Sequence, residues 1–159
     1  MDITFAVCLI EDIERFNYIY SCSLNNKRLH IGFDEEQQYI YPGCLVIVEY
    51  DSHPISCLRY HIHTSENHTK YCYLDTLAVM PEYKDGGIEE EVLRFVDRVA
   101  LEYDCQYILT EIAILDTSTI EFLKAHRYEV DYMVARLLDN GSVMNVQLLY
   151  KTIEDAVGR

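Results

Sequence analysis

The sequence predicts an α/β (α+β) domain in the element order β-α-(α)-β-β-β-α-β-α-β-β, and three observations carry most of that reading. Across 88–103, Ile88, Val92, Phe95, Val96, Val99 and Ala100 fall on one face of a helix, with Glu89, Glu90, Asp97 and Arg98 largely off it. The apolar, β-branched runs 44–50 and 55–63 flank the turn residues Asp51-Ser52-His53-Pro54, which is a hairpin pattern. Asp139-Asn140-Gly141-Ser142 lies between the apolar runs 130–138 and 143–152, and Asn-Gly in that setting signals a second hairpin. One domain over 1–153 is expected, with 154–159 a short tail that frays.

The other elements follow in order. Residues 4–10 read as a first strand. Ile13, Phe16, Tyr20 and Leu24 are spaced for a helix over 11–23, which Asn25-Asn26 can end. Residues 34–38 fit a short helix or a loop, and Pro42-Gly43 a turn. The polar stretch 64–69 is a loop and 71–79 a strand. Asp104 ends the long helix, and 106–113 is the next strand. Asp116-Thr117-Ser118 offers a helix N-cap, with a helix running to about Ala125. The final strand, 143–152, is expected to be an exposed edge suited to a homodimer contact.

Composition narrows the function classes. Half of the 159 residues are hydrophobic, enough to build a core and to argue against disorder. No apolar run is long enough for a membrane span, and the N-terminus carries no basic leader, so a cytoplasmic protein is expected. The six cysteines are widely spaced, without a C-x-x-C pair, and read as buried free thiols. A net charge of −14 argues against direct binding to nucleic acid or to anionic membranes and suits basic partners. His61 and His63 share a strand face near His68, but no cysteine or carboxylate completes a metal set there, so no metal is expected.

The most informative stretch is Leu77-Ala78-Val79-Met80-Pro81-Glu82-Tyr83-Lys84-Asp85-Gly86-Gly87-Ile88, followed by three glutamates. An apolar strand stops at a proline, a glycine-containing turn follows, and an amphipathic helix begins. A helix N-terminus favours anions, and glycines let backbone come close to a ligand. This order of parts resembles the acetyl-CoA pyrophosphate site of the GNAT superfamily of N-acetyltransferases. The resemblance covers nearly the whole chain. It implies an acyl-CoA N-acyltransferase fold, with a mixed, mostly antiparallel sheet of six to seven strands flanked by helices.

By that resemblance, acetyl-CoA is the cofactor and pairs with the backbone of Leu77, Ala78 and Val79, where the strand splays from 108–113. The family loop Arg/Gln-x-x-Gly-x-Gly/Ala falls on Lys84, Asp85, Gly86, Gly87, Ile88 and Glu89. Lys84 keeps the positive charge and Gly87 the central glycine. Glu89 stands where glycine or alanine is usual, and its carboxylate can interact with the helix dipole in place of a phosphate. A like charge about 4 Å away costs on the order of 4 kcal/mol at an effective dielectric of 20. A second family motif, roughly Asn-x-x-Ala-x-x-Phe-Tyr then Gly-Phe, falls on Asp116, Thr119, Phe122, Leu123, Arg127 and Tyr128. Phe122 and Tyr128 fit, and Phe122 is expected beside the cofactor. Leu123 replaces the usual proton-donating tyrosine, and Arg127 in place of glycine suggests a different turn.

Acetyl transfer to an amine needs a base for the amine proton and a donor for the oxyanion. By the resemblance, a backbone N–H near Val79 is the oxyanion donor. Asp75, Glu111 and Glu49 are the candidate bases, and Tyr73 and Tyr132 can replace the missing tyrosine. Two functions follow. The first is acetyl transfer from acetyl-CoA to a primary amine on a small molecule or basic protein. The second is a catalytically inactive, acidic binding protein for a basic or nucleic-acid-binding partner, favoured by Glu89, Leu123 and the −14 charge.

Overall fold

The computed structural model describes residues 2–24, 44–83, 86–137 and 141–153. Among these, seven strands hydrogen-bond in the order β1-β2-β3-β4-β5-β7-β6. They are β1 (Ile3–Val7), β2 (Cys44–Tyr50), β3 (His53–Thr64), β4 (Lys70–Val79), β5 (Tyr107–Ala113), β6 (Glu129–Leu137) and β7 (Val143–Thr152). Three helices accompany them: α1 (Ile13–Leu24), α2 (Ile88–Glu102) and α3 (Thr117–Ala125). The sheet is mixed and mostly antiparallel, as expected, with β4 and β5 the parallel pair. The possible element at 34–38, the turns at Asn25-Asn26 and Pro42-Gly43, and the 154–159 tail lie outside the described residues.

The chain divides into two compact units. The first comprises 1–61 and 75–95. Its core gathers Cys8, Ile13, Phe16 and Ile19 against Leu45, Ile47, Cys57 and Ala78, with Met80 packed alongside. Ile13 and Phe16, two of the positions read from the helical spacing, are buried there, and Ile19 joins them. Phe5 of β1 stacks on Phe95 of α2 with ring centroids 4.3 Å apart, and Tyr60 meets Phe95 edge-on. The β2–β3 hairpin turns on Asp51 and Ser52, both at positive φ (51° and 66°). A two-residue hairpin loop needs that geometry to match the twist of its strands. β1 is shorter than the apolar run 4–10: the Leu9 N–H donates to Asp12 Oδ2 (3.0 Å), and Ile10–Asp12 coils into a 3-10 turn.

The second unit comprises 62–74 and 96–159. Cys72, Leu74, Val96, Val99, Ala100, Ile108, Leu123, Val146 and Leu149 are buried in it. Thr110 Oγ1 donates to the Leu74 carbonyl across the parallel ladder (2.6 Å), so its buried hydroxyl is satisfied. The half-buried pair Asp97–Lys151 (2.8 Å) ties α2 to β7. β7 pairs with β5 on one side and β6 on the other, so the expectation that 143–152 forms an edge is corrected: β6 holds that place. At a register shift between Val130 and Met133, Gln147 Nε2 donates to the carbonyls of Asp131 and Tyr132.

Both later helices stop in the same way. At the end of α2, the Cys105 N–H donates to Ala100 O and Asp104 N–H to Leu101 O, with Asp104 at φ 59°. At the end of α3, Tyr128 N–H donates to Leu123 O and Arg127 N–H to Lys124 O, with Arg127 at φ 74°. These are Schellman closures, which place a left-handed residue just past the helix. Arg127 therefore holds the left-handed position of this turn, which a glycine fills at less cost. An arginine held there is strained.

Of the six cysteines read as buried free thiols, four are found so, Cys44 is free but half-buried, and the side chain of Cys22 is outside the description. Cys8, Cys57, Cys72 and Cys105 are buried and unbridged. Burial, assisted by Asp12 and Cys44, pushes the Cys8 thiol up to about 12; burial, assisted by Cys105, does the same for Cys72. Cys57 is raised well above the usual thiol range, again chiefly by burial.

Two tests follow. Arg127→Gly is expected to stabilise the protein by about 0.5–1 kcal/mol in urea denaturation, because relief of the left-handed strain exceeds glycine's extra unfolded-state entropy. A loss of stability would show that the arginine side chain contributes more than the strain costs. In the folded protein at pH 8, iodoacetamide is expected to modify Cys8 and Cys72 slowly, since both thiols stay protonated until the pH approaches about 12. Rapid labelling of either, located by peptide mass spectrometry, would contradict that protonation state.

Candidate functional site

Within the first unit, β4 runs into α2 through a tight corner. The Met80 N–H donates to Ile55 O (2.8 Å), Tyr83 N–H to Met80 O (2.9 Å) and Gly86 N–H to Tyr83 O (3.3 Å). Pro81–Tyr83 is one 3-10 turn. The chain then passes through Gly87 at φ 82°, whose carbonyl accepts the Glu91 N–H as α2 begins. A side chain would strain that backbone, although no atom stands within 4 Å of the place a Cβ would take. The space beside Gly87 is open to a ligand, and it faces the positive end of the α2 dipole. Lys84 and Asp85 fall outside the described residues.

A hollow of about 380 Å³ opens at this corner, lined by Ile3, Gly87, Glu90, Glu91 and Arg94. The sequence reading put most weight on Glu89; here Glu90 and Glu91 line the hollow. Arg94 Nη1 pairs with Glu91 Oε1 one turn along α2. Arg94 thus supplies positive charge beside the glycines, and the sequence reading missed it. The Glu91/Arg94 spacing of i, i+3 was the available signal.

The preceding strand is firmly held. Ala78 and Val79 are buried, and Ser56 Oγ donates to the Ala78 carbonyl (2.7 Å). Residue pairing between β4 and β5 runs from Tyr71/Tyr107 to Leu74/Thr110 and ends there, while β4 continues to Val79 and β5 to Ala113. Asp75 lies in β4 just past that last pair. Glu49, another candidate base, is bonded to Arg15 in the first unit (3.4 Å).

The second unit places Glu111 on β5 with its side chain only 12% exposed. Glu111 Oε2 accepts two hydrogen bonds from Arg136 of β6, from Nε (2.9 Å) and Nη2 (2.7 Å). This bond to Glu111 is the main cause that holds the Arg136 guanidinium above its usual range, and Tyr73 adds a hydrogen bond of its own. Tyr73, Arg136 and Glu111 are therefore brought together from β4, β6 and β5. Tyr132 sits on β6 at 64% exposure. On α3, the Thr119 N–H donates to the capping Asp116 Oδ1 (3.3 Å) and Leu123 is buried. Phe122 is half-buried against the His126 ring. His63, considered above as a metal ligand, stacks on Tyr71, which stacks on Tyr107 (centroids 5.3 and 5.0 Å).

Comparison with known proteins agrees with this fold. No curated protein matches the sequence. The Arabidopsis thaliana Naa50 structure in complex with the bisubstrate analogue CoA-Ac-MVNAL is similar at 12% identity and TM-score 0.72, covering 96% of this chain and 99% of that one. A spermidine N-acetyltransferase SpeG chimera from Vibrio cholerae and hSSAT is similar at 12% identity and TM-score 0.72, over 100% of both chains. A GNAT family acetyltransferase from Elizabethkingia anophelis with acetyl-CoA bound shows 13% identity and TM-score 0.69, over 94% of this chain and 97% of that one. At such identities these likenesses show a shared fold. The family model of the Acetyltransferase (GNAT) family matches residues 12–127, so the chain belongs to that family.

Proposed function

We propose that the protein is an acetyl-CoA-dependent N-acetyltransferase that acts on a primary amine by direct attack, as one domain over 1–153. The observation that carries this reading is the β4–α2 corner: an open, left-handed Gly87 at the head of a 15-residue helix. The neighbours crystallised with acetyl-CoA or a CoA conjugate support it. The residues fit such a ligand. Backbone of Leu77, Ala78 and Val79 would pair with its extended arm. Gly86, Gly87 and Ile88 would take the diphosphate at the α2 dipole, with Lys84, Asp85 and Glu89 bordering it and Phe122 lying beside the cofactor.

Acetyl-CoA, when bound, supplies an activated thioester carbonyl. The chain's own contributions are then three. A backbone N–H near Val79 polarises the carbonyl oxygen. A carboxylate, Glu111 or Asp75, receives the amine and its proton. A tyrosine hydroxyl, from Tyr132 or Tyr73, offers a proton to the departing thiolate. Glu90 and Glu91 oppose a diphosphate, and Arg94 offsets part of that charge.

Isothermal titration with acetyl-CoA tests the reading. Saturable binding is expected in the natural protein, with thermal stabilisation of about 2.7 kcal/mol at 100 times Kd. Glu90→Gln and Glu89→Gly are expected to bind more tightly, because each removes a negative charge from the helix head. No saturable heat at millimolar acetyl-CoA in any of the three proteins would contradict the proposal.

A further inference from the structure

The contact between Glu111 and Arg136 spans three strands. Glu111 is opposite Leu148 on β7, Ala113 is opposite Val146, Val134 is opposite the same Val146, and Arg136 is opposite Met144. Opposed residues share a sheet face, so Glu111 and Arg136 lie on one face with β7 between them. Leu148 and Val146 are buried on that face. The arginine reaches past β7 from the outermost strand to a carboxylate on an interior one.

The two partners are unequal. Glu111 is largely buried and held by its pairing with Leu148 of β7, one residue past the last β4–β5 pair. The Arg136 side chain is 43% exposed, on a strand whose residues are nearly all exposed. Both of its hydrogen bonds to Glu111 go to Oε2, which leaves Oε1 outside the pair. The Arg136 side chain is already part-exposed, so solvent can take up its charge when the pair opens. A buried carboxylate left alone would be costly, so its departure requires a replacement cation.

We infer that Glu111 is the receiving group for the ammonium of the amine acceptor, and that Arg136 is a resident cation that the acceptor displaces. The inference rests on the transferase reading and narrows its substrate to amines that arrive protonated. Arg136 acts here as a positioning residue. It holds Glu111 in place and sets a threshold that uncharged molecules do not pass. The Tyr73 hydrogen bond on Arg136 fixes the resting arrangement from the β4 side.

The test is direct titration of three amines, spermidine, tyramine and a short peptide with a free N-terminus, first without and then with acetyl-CoA. Arg136→Gln is expected to bind the preferred amine about two- to fivefold more tightly, the size of a partly exposed ion pair. Glu111→Gln is expected to weaken binding roughly tenfold or more, since a hydrogen bond to a charged group is lost. Arg136→Lys is expected to resemble the natural protein. In turnover, the Arg136→Gln effect is expected in KM with kcat little changed.

Amine binding indifferent to both Glu111→Gln and Arg136→Gln would overturn the inference, as would no binding of any amine to the natural protein or to Arg136→Gln. Circular dichroism of each variant confirms its fold. Acetyl-CoA titration separates the two ideas. Its failure removes the transferase reading while the amine titration still stands. Its success beside an indifferent Glu111→Gln removes only this inference.

Discussion

The β4–α2 corner is the constraint on which the candidate site depends. Eight residues separate Val79, the end of a buried strand, from Ile88, the start of a buried helix face. The chain makes that change of direction with a 3-10 turn and one left-handed residue, Gly87 at φ 82°. Only a residue without a Cβ adopts that backbone at little cost. The conformation that closes the corner also clears the space beside the helix head. The same glycine closes the corner and leaves the space beside it open.

Electrostatics at this corner are balanced between two tendencies. The helix dipole and Arg94 favour an anion, while Glu90 and Glu91 oppose one. Acidic residues in a first helical turn stabilise the helix, so α2 gains local stability from groups that would oppose an anion there. Glu111 shows the same economy elsewhere: a carboxylate that the fold buries is kept satisfied by an arginine that the fold leaves exposed.

Much of the fold was legible in the sequence. The helix at 88–102 and the strand at 143–152 announced themselves through periodicity and through glycine or aspartate at their ends. Local apolar character misled at β1, where Cys8 and Leu9 continue the run but Asp12 captures the Leu9 N–H and turns the chain. It also misled at 143–152, because alternation along a strand carries no information about which strands lie on either side. Gly86 and Gly87 were readable as the corner between strand and helix. Arg94 was readable only from helical spacing to Glu91. The pairing of Arg136 with Glu111, 25 residues apart and across an intervening strand, had no local signature. Arg127 adopts glycine's conformation despite its side chain, which composition alone argued against.

Backbone amide hydrogen exchange with and without acetyl-CoA addresses the central claim most directly. The account predicts that acetyl-CoA slows exchange at the amides of 77–79 and of 86–91, with little change at β1 or β6. Protection confined to other segments, or none at saturating acetyl-CoA, would contradict the assignment of the β4–α2 corner as the acyl-donor site.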